Sequence, residues 1–139
     1  MKKEIIIYTD GGARGNPGPA GSGAVIYDGA KKIGEVSKYL GIQTNNFAEY
    51  EALILVLEKT IELCGDPVSR PVQVRMDSEL IVKQMNGQYK VKHPVLKEKH
   101  TWVKMLIMKS FPTITFTHVR REQNKEADQL ANEAMDRGF

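Results

Sequence analysis

Four acidic side chains of the 139-residue sequence stand where an apolar residue or a buried strand end is expected: Asp10, Glu49, Asp77 and Asp128. A dry cluster of carboxylates is unfavourable unless it is protonated or neutralised by cations, and hard divalent metals prefer such oxygen ligands. Taken singly, each acid has an ordinary explanation as a cap, a turn residue or a salt-bridge partner. Together they indicate a metal site, which leaves metal nucleases and phosphatases open.

Asp10 and Asp77 each close a predicted strand. Residues 5–8 form an unbroken apolar run, typical of a strand buried on both faces in the middle of a sheet, and we expect this strand to end at Asp10. Apolar and polar residues alternate over residues 72–76, immediately before Asp77. Both acids can therefore reach the sheet edge where α/β proteins commonly place their sites.

Glu49 and Asp128 lie on the apolar sides of two predicted helices. The first helix is capped by Asn45 or Asn46, ends near residue 64, and carries Glu49 on the same side as its apolar residues at 52, 53 and 56. The last helix spans about residues 124–138, and Asp128 sits at the edge of its apolar stripe. Both acids are thus predicted to face the sheet.

The remaining elements complete a mixed α/β layout. Strands over residues 22–27 and 34–40, joined by a turn at Asp28-Gly29, precede the first helix as an antiparallel meander. Ser78 caps a short helix, a third helix spans residues 94–109, and a fifth strand spans residues 113–119. The pattern predicts one sheet with helices on its faces, in a single domain over residues 1–139.

Composition sets the broad class of protein. A 41% hydrophobic and 27% charged chain is typical of a globular protein, and its one cysteine, Cys64, cannot form an internal disulfide. No apolar run approaches the roughly 20 residues of a membrane helix, so we expect a cytoplasmic protein without membrane contact, and a monomer. The net charge of +3 fits a polyanionic partner and an ordinary solvated surface equally well.

Short motifs around the four acids resemble those of type 1 ribonucleases H. They are Thr9-Asp10-Gly11-Gly12 with Gly15-Asn16-Pro17-Gly18-Pro19-Ala20-Gly21, Thr44-Asn45-Asn46 with Ala48-Glu49, Met76-Asp77-Ser78, and Asn124 with Ala127-Asp128 and Leu130-Ala131. The matches occur in order over residues 8–131. The resemblance implies a ribonuclease H-like α/β fold, with a five-stranded mixed sheet of three antiparallel and then two parallel strands flanked by helices.

The same resemblance implies an activity. Members of the family are endonucleases that hydrolyse the RNA strand of RNA/DNA hybrids and leave 5′-phosphate and 3′-hydroxyl ends. Two Mg²⁺ ions, which Mn²⁺ can replace, are then expected on Asp10, Glu49, Asp77 and Asp128. One ion would activate a water and the other would stabilise the leaving 3′ oxygen.

Selecting RNA requires close approach to a 2′ hydroxyl in the minor groove. Glycine leaves the backbone bare, so the amides of Gly11 and Gly12 are candidates for this contact. The resemblance adds four residues against the sugars and phosphates of the hybrid: Asn16, Thr44, Asn45 and Asn46. A tight turn is the structural alternative for residues 15–21.

The loop before the last acid departs from many members of the family, which carry a histidine there. His118 follows strand alternation and is predicted to be a strand residue. Arg121 is the candidate for the missing role, because a fixed cation beside the metals can hold a phosphate. A salt bridge from Arg121 to Glu122 or Glu126 is the alternative.

Residues 77–113 are too few for the full basic protrusion of certain members. Lys90, Lys92 and Lys97 in this segment are nevertheless predicted to contact the DNA strand, with mere solvation as the alternative. Trp102 falls on an amphipathic helix, and we expect it to pack in the core.

Two other functions remain to be distinguished. Integrases, transposases and junction resolvases share this architecture and its acid-rich sites, but the glycine-rich opening motif joined to Thr44-Asn45-Asn46 argues against them. The other is a module that binds hybrids without cutting them, which the presence of all four acids disfavours.

Overall fold

Five strands form one mixed sheet in a computed structural model that describes residues 3–139. The strands are β1 (Ile5–Ala13), β2 (Gly18–Asp28), β3 (Lys31–Gln43), β4 (Val72–Met76) and β5 (Ile114–His118). Their order across the sheet is β3-β2-β1-β4-β5. The first three strands are antiparallel, whereas β4 runs parallel to β1 and β5 runs parallel to β4, which confirms the predicted sheet.

In the described part of the chain, four α-helices flank the sheet: α1 (Asn45–Cys64), α2 (Glu79–Met85), α3 (Pro94–Ser110) and α4 (Lys125–Arg137). Side chains alternate along β2, which puts α1 and α4 on opposite faces. Ser22 donates a hydrogen bond to the Ala48 carbonyl of α1 over 2.8 Å. A Cβ on the next residue, Gly23, would lie 2.3 Å from the Ala127 carbonyl of α4. Within residues 3–139, no helix combines the length and the apolar character needed to cross a bilayer.

The main hydrophobic core lies between the sheet and α1. Ile5 and Ile7 of β1 pack there, fully buried, with Leu53 of α1. Ile6 and Tyr8 point to the other face and are only half-buried, so the expectation that this strand is buried on both faces is wrong. The reason is that α4 packs over β1, β2 and β3 and leaves these two side chains lining a cleft beside it.

Strand β1 does not end at Asp10, as the sequence predicted, but continues to Ala13 because its last residues pair with β2. The ladder between β1 and β4, in contrast, ends at the pair Thr9 and Met76. Asp10 and Asp77 each come directly after that last pair, so they still meet at one edge of the sheet. β2 and β3 are also longer than predicted, because their own ladder continues towards both ends.

Trp102 lies on the exposed side of α3, so the prediction that it packs in the core is wrong. Its neighbour Val103 is fully buried, and Leu106 and Ile107 pack partly against the core. One residue corresponds to about 100° of rotation on a helix. The helix is amphipathic as predicted, but its buried stripe runs through Val103 and not through Trp102.

Candidate active site

Three of the predicted acids meet at the edge of the sheet. Asp10, Glu49 and Asp77 each offer one carboxylate oxygen, and these oxygens all lie within 4.8 Å of one another. Asp128 from α4 lines the same cleft, which has a volume of about 400 Å³, but it stands outside this tight group. The structure therefore brings all four acids to one cleft, with three of them close enough to share an ion.

Gly11 allows α1 to approach β1 closely enough to place Glu49. A Cβ on Gly11 would lie 2.3 Å from the backbone carbon of Ala48, so only glycine fits here without moving the helix. The Gly11 amide donates hydrogen bonds to Glu49 Oε1 and, over 2.9 Å, to Asp10 Oδ1. Gly11 is thus a positioning residue, and its amide is already engaged.

The site concentrates negative charge out of water. Burial, and next the neighbouring Asp10 charge, raise the pKa of Glu49 well above its usual range. Burial, and next the Asp77 charge, raise the pKa of Asp10 from 3.8 to about 7. Glu49 Oε2 is buried with no hydrogen-bond partner among residues 3–139. An orphaned carboxylate oxygen beside two further carboxylates is what a divalent cation would satisfy, so these residues fit a metal site.

Two polar residues that the sequence reasoning missed hold Asp128. Asn132, one turn further along α4, donates hydrogen bonds to the backbone carbonyl and the Oδ1 of Asp128 over 3.0 and 3.3 Å. The Arg14 guanidinium reaches Asn132 Oδ1 over 3.3 Å and forms an ion pair with Asp136 over 2.6 Å. The i+4 spacing from Asp128 could have identified Asn132, whereas Arg14 carries no sequence signal because it depends on how β1 and β2 meet α4.

The candidate substrate-binding residues join the β1–β2 connection to α1. Asn45 Oδ1 accepts from the Ala13 amide over 2.7 Å, and Asn16 Oδ1 accepts from the Asn45 amide over 3.0 Å. Thr44 caps α1 by accepting from the Phe47 amide over 3.2 Å, so the prediction of an Asn45 or Asn46 cap is wrong. The residues that line the cleft itself are Gly11, Gly12, Asn45 and Asn46, while Asn16 and Thr44 lie behind them.

Arg121 also lines the acid cleft, in a 3₁₀ turn between β5 and α4. It is exposed and forms no ion pair within residues 3–139, so neither predicted salt-bridge alternative is formed. Glu126 pairs instead with Lys32 over 2.8 Å, and Glu122 lies 3.7 Å from Arg120. His118 is the last residue of β5, as its alternation predicted.

Comparison with known proteins gives consistent results. A family model described as reverse transcriptase-like matches residues 8–134. The bifunctional protein Rv2228c of Mycobacterium tuberculosis is 42% identical over 135 residues, which cover 96% of this chain but 36% of that protein. The ribonuclease H of Prosthecochloris aestuarii is 32% identical over 149 residues, covering 97% of each chain. LC11-RNase H1, isolated from compost by a metagenomic approach, has been solved in complex with an RNA/DNA hybrid; it is 56% identical, with a TM-score of 0.92, over 96% of this chain and 97% of that chain.

The sheet order and the acid-lined cleft define a ribonuclease H-like α/β protein. Because the match to a ribonuclease H extends over nearly the whole of both sequences and the fold is shared at a TM-score of 0.92 with a ribonuclease H1, the chain belongs to the type 1 ribonuclease H family. The chain spans only about a third of the mycobacterial relative's length.

Proposed function

We propose that this chain is a metal-dependent endoribonuclease that hydrolyses the RNA strand of RNA/DNA hybrids and leaves 5′-phosphate and 3′-hydroxyl ends. The observation that carries the proposal is the cluster of Asp10, Glu49 and Asp77 around an unpartnered buried carboxylate oxygen. Support also comes from the shared fold of LC11-RNase H1, which has been solved with a hybrid. The cytoplasmic location expected from the sequence stays a prediction.

Asp10, Glu49, Asp77 and Asp128 would hold two Mg²⁺ ions, with Mn²⁺ as a substitute. When bound, such ions supply an activated water and stabilise the leaving oxygen of an in-line displacement. The protein's own contribution is orientation: the Gly11 amide holds two of the carboxylates, and the helical neighbour of Asp128 holds the fourth. Arg121, exposed in the same cleft, would hold the scissile or leaving phosphate by charge-assisted hydrogen bonds.

The surface beside the acids would hold the RNA strand. Gly12, Asn45 and Asn46 line the cleft, with Asn16 and Thr44 next to them. The hydrogen bonds within this cluster use the side-chain oxygens of Asn16 and Asn45, so their amide NH₂ groups stay available to accepting sugar and phosphate oxygens.

Basic residues between α2 and the first half of α3 would hold the DNA strand. Lys83 and Lys99 are occupied by Glu79 and Glu51, over 2.8 and 2.6 Å. The other lysines of this segment, Lys90, Lys92 and Lys97, are exposed and form no ion pair within the described chain. Phosphates can therefore reach them without displacing a carboxylate.

The experiment is cleavage of one end-labelled sequence prepared as RNA/DNA hybrid, duplex DNA, duplex RNA and single-stranded RNA, each with Mg²⁺ and with chelator. We expect metal-dependent cutting confined mainly to the RNA of the hybrid. Equal cutting of duplex DNA would indicate a DNA nuclease of the same architecture. Intact hybrid in the presence of Mg²⁺ would overturn the proposal.

Variants connect the activity to the acids. Asp10→Asn should abolish cleavage and leave the fold intact, because it removes a ligand charge with little change in volume. Glu133→Gln is the matched control, since Glu133 is an exposed acid of α4 that does not line the cleft. Wild-type rates in Asp10→Asn, or an equal loss in both variants, would contradict the assignment of the metal site.

A further inference from the structure

The outer face of α3 carries an exposed apolar groove. Its lining residues enclose a space of about 700 Å³ and are Glu98, Thr101, Trp102, Met105, Leu106, Met108 and Lys109. Trp102, Met105 and Met108 are 52%, 65% and 87% exposed. A contiguous apolar surface of this kind marks an interaction site, and tryptophan and methionine are enriched in such sites.

The groove is self-complementary about one point on the helix. Glu98 and Lys109 are equally distant from the midpoint of residues 103 and 104, and so are Trp102 and Met105. An antiparallel second copy of α3, related by a twofold axis through this midpoint, therefore meets Met105 with its Trp102 and Lys109 with its Glu98. At 1.5 Å per residue the two charges are about 16 Å apart along the helix, one at each end of the apolar stretch.

The charges that end the groove have weak partners, or none, inside the described chain. Glu98 forms no ion pair with residues 3–139. Lys109 has only Asp66, at 4.0 Å, and its side chain is 77% exposed. Both charges are therefore available to a second copy, which would form two ion pairs on either side of the apolar contacts.

We propose that this face of α3 is a symmetric homodimer interface, formed by antiparallel α3 helices that cross at the midpoint of residues 103 and 104. The second copy takes the place of the monomer that the sequence alone predicts. Within residues 3–139, the lining of this groove and that of the acid cleft share no residue, so dimerisation leaves both sites open. One helix pair buries a small area, and we expect dissociation in the micromolar range.

Sedimentation velocity over a concentration series tests the proposal. The wild-type chain should shift from its monomer mass of 15.6 kDa towards twice that mass as the concentration rises. Met105→Glu should raise the dissociation constant at least about a hundredfold, because it places two like charges beside the twofold axis. Since Met105 is 65% exposed, this variant should keep the thermal stability and hybrid cleavage of the wild type. A wild type that stays monomeric throughout, or a dimer untouched by this change, overturns the proposal.

Charge reversal tests the antiparallel register. Glu98→Lys alone and Lys109→Glu alone should each weaken the dimer about tenfold, because like charges then face each other at both ends. The double variant should restore wild-type association, since each pair is reformed with its charges exchanged. A double variant as weak as the singles would rule out this register. The readout is mass, so its result is independent of whether the chain cleaves hybrids.

Discussion

Replacing Asp10 by asparagine should stabilise the metal-free protein at neutral to alkaline pH. Burial and the nearby Asp77 charge raise the pKa of Asp10 from 3.8 to about 7, so the folded protein resists ionising this group. At roughly 1.4 kcal/mol for each pH unit, the cost of ionisation in the folded state is about 4 kcal/mol. Water in the open cleft screens part of this cost, and we expect a gain of about 2 to 4 kcal/mol in the free energy of unfolding.

The sign of this effect follows from the two states of Asp10. Below about pH 3.8 the carboxyl is protonated in both the folded and the unfolded chain, and it imposes no penalty. As the pH rises from 3.8 to about 7, the unfolded chain ionises first and the folded state loses stability. Above about pH 7 the loss is complete. The variant avoids this loss because asparagine does not ionise.

Urea denaturation in chelator, followed by circular dichroism, measures the difference. Wild type and Asp10→Asn should be nearly equal below about pH 4 and should diverge through neutrality. Saturating Mg²⁺ at about pH 8 should raise the stability of the wild type more than that of the variant, because the ion neutralises the repulsion that the substitution removes. Glu133→Gln, which changes an exposed acid, should show neither effect. Equal stability of wild type and Asp10→Asn at about pH 8 in chelator would refute this account of the site.

Three further changes test other parts of the site. Gly11→Ala should destabilise the fold by about 3 kcal/mol in urea denaturation and reduce cleavage, because the added methyl group overlaps the α1 backbone; a wild-type midpoint would contradict the role of this glycine. Arg121→Ala should lower kcat about tenfold with little change in hybrid Kd, and an unchanged steady-state rate would leave the arginine without a catalytic role. Changing Lys90, Lys92 and Lys97 to glutamine should reduce the slope of log Kd against log salt by about 2, and an unaltered slope would clear them of phosphate contacts.

Much of the fold follows from local sequence patterns. Alternating or continuous apolar residues identified all five strands, and Ser78 was correctly predicted to cap α2, where its Oγ accepts from the Ile81 amide. The convergence of the acids could also be predicted. A carboxylate that follows a strand, or interrupts the apolar side of a helix, stands out against a pattern that burial imposes.

What local patterns could not supply depends on contacts between distant segments. The continuation of β1 past Asp10 depends on pairing with β2, which no pattern within residues 11–13 records. The exposure of Trp102 depends on which stripe of an amphipathic helix meets α1, and the choice between Trp102 and its neighbour is a rotation of about 100°. Arg14 and Asn132 come together only after the sheet and α4 have assembled.

The double hydrogen bond from Gly11 also affects how the site moves. Its amide proton exchanges with solvent only when the bonds to Glu49 and Asp10 open together, so the two carboxylates and the first turn of α1 should fluctuate as one cooperative unit. An ion that binds those carboxylates would slow this opening. The exchange rate of a single backbone amide thus reports how often the site comes apart, in a protein that has not turned over a single substrate.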